Sequence, residues 1–191
     1  MYISAAQALA ACRIGFGLYF ISQAWDKTSR NWLSSGAPLT GLLFGNPNAT
    51  PPTSGAVANS TPFYVEFLKS VVQPNVLLFG QLVTVGEWVI GILLVLGLLT
   101  RLGGLIGIWL NLNYMFMKGL PSNSGSIDRL FILAELVFLL AAAGLVWGLD
   151  GKLRQQLAGN PAIRWLSGLS GSVEPTRQPE SLPARETTGV R

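Results

Sequence analysis

The sequence predicts an all-α membrane fold: an antiparallel four-helix transmembrane bundle with an extracytoplasmic loop and a short interfacial helix. Three observations carry this. Four apolar stretches run at about Ala5–Trp25, Pro74–Leu99, Leu102–Gly119 and Ile127–Gly148. All are long enough, or nearly so, to cross a bilayer core of about 30 Å, which takes about 20 helical residues. Half of the 191 residues are apolar and only 12% are charged. The polar residues gather in a loop at about 26–61 and a tail from about 150, and neither has enough apolar residues for a separate core. The chain therefore divides into a membrane domain, 1–153, and a tail, 154–191, expected to be cytoplasmic and largely disordered.

The first span opens without a basic segment and is interrupted by Arg13, so it does not read as a cleavable signal peptide and is expected to stay in the mature protein. The loop 26–61 contains Asn46-Pro47-Asn48-Ala49-Thr50-Pro51-Pro52, which cannot continue a helix. It also holds Trp32, Leu33, Leu39, Leu42, Leu43 and Phe44, so it is expected to fold as a cap over the outer helix ends. In 62–72, Pro62 suits a first helical position, and Phe63, Phe67 and Val71 form an apolar stripe that excludes Glu66 and Lys69. That segment is too short to span and reads as an interfacial helix. The spans carry Gly15, Gly17, Gly80, Gly91, Gly103, Gly104 and Gly107, small residues that let membrane helices approach closely. Span four begins with Ser126 as N-cap and Asp128 in its first turn, where an acid suits the helix dipole. In the tail, Pro161, Pro175, Pro179 and Pro183 point to disorder beyond about Gly171, with Ile163, Trp165 and Leu166 resting on the inner membrane surface.

Four spans place both termini on one side, with Arg101 in the short link and Lys152, Arg154 and Arg164 at the start of the tail. The positive-inside rule assigns that side to the cytoplasm of an inner-membrane, multipass protein. The charges cluster in the tail from about residue 150, which holds six of the 13 Lys and Arg and four of the nine acids, and the net charge of +4 calls for no nucleic acid. There is no histidine, and the single cysteine, Cys12, lies inside span one. This excludes an intrachain disulfide or a Cys-x-x-Cys pair and removes the usual ligands of haem, zinc or copper. Any redox chemistry is expected to proceed without a metal or thiol centre on this chain.

Glu87 and Glu135 sit near the middle of spans two and four. Counted at about 1.5 Å of rise per residue, Arg13, Asn111, Asn113, Glu87 and Glu135 form a polar belt across the four helices. An ionised group facing lipid costs roughly 2.5–3.5 kcal/mol at mid-helix, so Arg13 is expected to sit against Glu87, Glu135 or both. One arginine cannot balance two carboxylates, and one of the acids is expected to carry a proton. Two readings stand: an ionic lock that fixes helix packing, or the polar end of a pocket. A quinone fits such a pocket, because its ring wants an apolar slot, its carbonyls want donors, and its reduction takes up protons. A second polar group, Gln23, Asp26, Lys27, Asp128 and Arg129, lies near the outer face, where capping and snorkelling explain it.

These residues carry a resemblance. Span one reads Arg13-Ile14-Gly15-Phe16-Gly17, then Gln23 and Lys27; span two reads Gly86-Glu87-Trp88-Val89-Ile90-Gly91, then Leu96-Gly97-Leu98-Leu99-Thr100-Arg101. The last span exits through Gly148-Leu149-Asp150, and Phe67-Leu68-Lys69-Ser70-Val71-Val72-Gln73-Pro74 follows the cap. Over about residues 8–153 the chain resembles the DoxX family of small four-helix membrane proteins, and its DoxD-like members in particular. The family is named for subunits of a thiosulfate:quinone oxidoreductase. The resemblance implies a multipass membrane protein, in complex with protein partner subunits, linked to electron transfer into the quinone pool. Arg13, Lys27, Glu87 and Arg101 are the matching polar positions, and no catalytic assignment comes with them. The leading expectation is a membrane subunit of a quinone-linked oxidoreductase that helps bind quinone at the Arg13–Glu87–Glu135 belt. The electron-donor chemistry would then lie on a partner. The alternative is a non-catalytic scaffold or assembly subunit. A small-solute or proton carrier has less support, because four short spans show no repeat.

Overall fold

The computed structural model describes residues 2–46, 48, 53–120, 126–157 and 159–169, with backbone only at Ser126. Within these residues the chain is helical, and the only bridge of extended backbone joins Asn46 and Thr53. Four long helices organise it: α1 (Ala5–Ser29), α4 (Val76–Leu96), α5 (Thr100–Lys118) and α6 (Ser126–Leu140). The others are α2 (Ala37–Phe44), α3 (Pro62–Phe67), α7 (Leu149–Lys152), α8 (Arg154–Leu157) and α9 (Pro161–Leu166). A capping box between Ser4 and Gln7 starts α1.

Glycines set the packing. Gly17 of α1 lies against Gly91 and Val95 of α4, and Gly91 lies against Ile21, so the two helices run antiparallel at close range. Gly103 meets Leu93 and Leu94 of α4, while Gly104 and Gly107 meet Leu139 and Glu135 of α6. The ring closes where Phe16, Tyr19 and Phe20 of α1 pack on Phe131 and Phe138 of α6. Phe20, Ile90, Leu94, Leu110 and Phe138 form the core between the four helices.

The outward faces are apolar. Leu78, Leu82, Val85, Val89, Ile92 and Leu96 form an exposed stripe on α4, and Leu130, Leu133, Val137 and Leu140 form one on α6. A contiguous exposed apolar surface of this kind is not tolerated in water. α1 and the continuous helical run Pro62–Leu96 are each long and apolar enough to cross a membrane.

Several boundaries differ from the sequence reading. α1 continues past Trp25 to Ser29, so the loop begins at Arg30. The segment read as a separate interfacial helix joins span two without a loop: α3 passes through a widened π-type turn, Leu68–Val72, and a 3-10 turn, Gln73–Asn75, into α4. Pro74 has no amide to donate, so the regular hydrogen-bond ladder shifts there instead of continuing. Span four is not helical to Gly148. α6 ends at Leu140, and the chain turns through Ala142 and Trp147, both at positive φ, with a 3-10 turn at Ala143–Leu145 between them. The turn is held because Gly144 lies against the Thr100 and Asp150 side chains, leaving no room for a Cβ.

Trp32, Leu39 and Leu43 pack with Leu68 and Val72 at one end of the ring, which we call the cap end. At the opposite, tail end, Leu169 is buried, Gly168 lies against Ala142, and the Arg101 guanidinium sits over the Trp165 ring and donates to its carbonyl. α9 is thus held against α5 at this end. The expected disorder beyond Gly171, the Ser126 side-chain cap and most of the proline run 47–52 lie outside the described residues.

Candidate functional site

The polar residues of the membrane domain do not form one belt. They form three groups at different levels. At the tail end, Asp150 accepts hydrogen bonds from the amides of Leu99 and Thr100 and from the Thr100 hydroxyl, at 2.7–3.0 Å. It thereby caps the N-terminus of α5, whose first amides would otherwise be orphaned in a dry interior. Burial pushes the Asp150 carboxyl above its ordinary range, against the hydrogen bonds and the nearby Arg13 guanidinium, which lower it. Arg13 is fully buried and donates from Nη2 to the Trp147 carbonyl at 3.1 Å. Its guanidinium lies against Gly97, which has φ of 60° and no space for a Cβ.

The expectation that Arg13 meets Glu87 or Glu135 is thus corrected. Arg13 is level with Gly97 at the end of α4, whereas Glu87 lies ten residues back, roughly 15 Å along the helix. The guanidinium turns to the nearer carbonyl and to the region of Asp150.

The middle group is Glu135 and Asn111, both buried. Asn111 Nδ2 donates to Glu135 Oε1 at 2.8 Å and to the Gly107 carbonyl at 3.2 Å. Glu135 Oε2 is buried without a hydrogen-bond partner among the described residues.

The third group lies toward the cap end. Lys27 Nζ is 2.7 Å from both oxygens of Glu87, and the Tyr114 hydroxyl donates to Glu87 Oε1 at 2.7 Å. Three helices, α1, α4 and α5, thus converge on one buried carboxylate. A second pair stands beside it: Lys118 Nζ is 2.9 Å from both oxygens of Asp128. Lys27 and Lys118 both lie within 6 Å of the Tyr114 ring, at 5.9 and 5.8 Å, and Lys27 also faces Trp32 at 5.6 Å.

This third group borders a cavity of about 500 Å³. Its polar lining comprises Gln23, Lys27, Glu87, Asn111, Asn113, Tyr114, Lys118 and Asp128. The walls are apolar and aromatic, including Phe20, Trp32, Phe67, Phe79 and Phe131. α3 crosses its roof: Tyr64 donates to Asn113 Oδ1 at 2.6 Å on α5, while Phe67 packs on Phe79 of α4. An apolar slot with a few converging polar groups is the usual form of a small-molecule site.

Five expected pocket residues divide accordingly. Glu87, Asn111 and Asn113 line the cavity; Glu135 sits behind Asn111, and Arg13 belongs to the tail end. Of the outer-face group, Gln23, Lys27 and Asp128 line the cavity. Asp26 pairs instead with Arg30 at the surface, and Arg129 donates to the Leu120 carbonyl. Tyr114, Tyr64, Lys118 and Trp32 were not anticipated as site residues. A signal existed for two of them: Asn111, Tyr114 and Lys118 fall at i, i+3 and i+7 on one face of an otherwise apolar helix. Among the described residues, no cluster of three or more His, Cys, Asp or Glu could hold a metal ion.

No curated protein and no solved structure matches the chain. The family model described as TQO small subunit DoxD matches residues 49–170. That stretch runs from the cap through α9 and leaves out α1, with Arg13 and Lys27. It covers well over half of the sequence, and the chain belongs to the DoxD family of membrane proteins.

Proposed function

We propose that the chain is a four-span membrane subunit of a quinone-linked oxidoreductase of the thiosulfate:quinone type, and that the cap-end cavity receives the quinone head group. The observation that carries this is the Lys27–Glu87–Tyr114 group, buried at the end of an apolar, aromatic-walled cavity. Membership of a family described as a small subunit supports a partner chain. With no histidine and a single cysteine in the sequence, we place the electron-donor chemistry on that partner.

The residues fit a quinone as substrate. A quinone carbonyl needs a donor, and the Lys27 ammonium has three N–H groups, of which Glu87 takes two. Reduction takes up two protons, and the Lys27 ammonium and Tyr114 hydroxyl are acids held at the cavity wall. Glu87 positions both by accepting from both. The aromatic walls match a flat ring and exclude water, which strengthens each polar contact.

All four long helices cross the membrane in this reading. α6, at 15 residues, covers only about 22 Å, so the bilayer is met by local thinning or by the turn that follows it. We place both termini in the cytoplasm of an inner-membrane protein, as Arg101, Lys152, Arg154 and Arg164 collect at the tail end. A reporter enzyme fused at the C-terminus and active only on the outer face would reverse that assignment.

The test of function is Glu87→Gln in the assembled complex. Glutamine keeps the shape and one acceptor but removes the charge that holds Lys27. Quinone reduction is expected to slow by about 100-fold, the low end of a lost general acid–base contribution, with helix content unchanged. A folded variant with normal turnover would leave the chain as a scaffold subunit.

A further inference from the structure

The cavity lining reaches the exposed surface at Tyr19, Leu42, Leu82, Trp109 and Ile127, and its most exposed members lie on α4 and α5. Two of its lining residues, Leu82 on α4 and Trp109 on α5, are 57% and 67% exposed on the apolar outer face. They flank the seam between these neighbouring helices. Gly86, one turn from Leu82 and also in the lining, has open space where a side chain would stand: an added Cβ would meet no atom within 4 Å. Ile106 lines the same edge of α5.

The seam between α1 and α6 is built differently, although Tyr19 and Ile127 line the cavity there. Edge-to-face ring contacts fill it: Tyr19 on Phe131 at 4.9 Å, Phe16 on Phe131 at 5.1 Å and Phe16 on Phe138 at 5.4 Å. One seam is plugged by rings, and the other is left open by a glycine.

We propose that the cavity is entered sideways from the membrane through a doorway between α4 and α5 at Gly86, and that its ligand is a membrane-borne quinone whose long apolar tail lies in that doorway. This rests on the quinone reading above and narrows it. The apolar surface is continuous from the exposed α4 stripe through Leu82 into the cavity, so a tail stays in an apolar medium along the whole path. A water-soluble ligand would gain nothing from such an opening. The head group then meets Glu87, the next residue on α4, with Lys27 and Tyr114.

The experiment uses the full chain in phospholipid nanodiscs with two probes of identical benzoquinone head group. One carries a ten-carbon tail ending in a photoreactive diazirine, and the other has no tail. On irradiation, the tail label is expected on the segments holding Leu82 and Gly86 and those holding Ile106 and Trp109. Gly86→Phe is expected to weaken the tailed probe about tenfold more than the tail-less one, as a side chain fills the doorway. Label on Tyr19 or Ile127, or an equal effect of Gly86→Phe on both probes, overturns the doorway while leaving the quinone site in place. If neither probe binds the unaltered protein, the quinone reading falls and the doorway with it. Should Gly86→Phe fail to fold, the labelling pattern of the unaltered protein decides alone.

Discussion

The two ends of the helix ring each bury a carboxylate and a cation, yet they are built for different ends. At the tail end, Asp150 spends its oxygens on the backbone of α5, and Arg13 is wedged between Gly97 and the Trp147 carbonyl. The glycines there have no room for a Cβ; Gly97, Gly144 and Gly148 all meet backbone or polar side chains at that position. At the cap end, the described partners of Glu87 are side chains, Lys27 and Tyr114, and the space beside them is a cavity. Polar groups that bind backbone and leave no space fix a turn. Polar groups that bind each other beside a cavity can exchange a partner for a ligand. The difference lies in what the second lone pair or spare N–H faces, not in burial, which is equally complete for Asp150 and Glu87.

The largest effects should come from breaking that contrast at the cap end. Lys27→Met leaves Glu87 buried with Tyr114 as its only described donor, and removing one partner of a buried pair costs about 3–5 kcal/mol. Thermal melting followed by tryptophan fluorescence should show it. The double variant Lys27→Met with Glu87→Gln should recover most of the stability, because no charge is stranded, but not quinone reduction. Full recovery of turnover would make the cap group a lock like the one at the tail. Next in size is Gly97→Ala, which adds a left-handed penalty of roughly 1–2 kcal/mol and an overlap with the Arg13 guanidinium of about 1–3 kcal/mol. Folded yield should drop, and whatever folds should turn over normally. Smaller again is Asp150→Ala, which uncaps α5 at a cost of about 1–2 kcal/mol. Hydrogen exchange at Leu99 and Thr100 should rise while exchange around Glu87 stays as it was.

The contrast also explains what could be read from the sequence. Helix positions were legible because the apolar runs are long and glycines mark the contacts. The end of α6 was not, since Ala141–Trp147 is as apolar as a span, and only the distant Asp150 and Thr100 make it turn. That glutamates and cations would be buried was legible from the cost of exposing them to lipid. Which cation meets which acid was not. Pairing depends on the relative offset of helices, and Lys27 reaches Glu87 only because α1 ends beside the middle of α4. Reading depth from the predicted span ends placed Arg13 too close to Glu87 and left Lys27 at the surface. Tyr114 escaped notice because a tyrosine in an apolar helix reads as packing or interface until its hydroxyl is seen on Glu87.

The smallest test separates the two pairs within the cap end itself. The Lys118 side chain is 30% exposed and Asp128 is 4% exposed, against 14% and 2% for Lys27 and Glu87, so the outer pair sits nearer the rim. Asp128 is buried and loses its cation, but the glutamine amide can still donate one hydrogen bond and the rim is partly open to water, so Lys118→Gln should cost about 1–2 kcal/mol, less than Lys27→Met. Its effect on quinone reduction should be confined to apparent affinity, through the Tyr114 ring that both lysines face, with kcat within about twofold of wild type. A fall in kcat as large as that of Glu87→Gln would move the chemistry from the inner pair to the rim and redraw the site around Asp128.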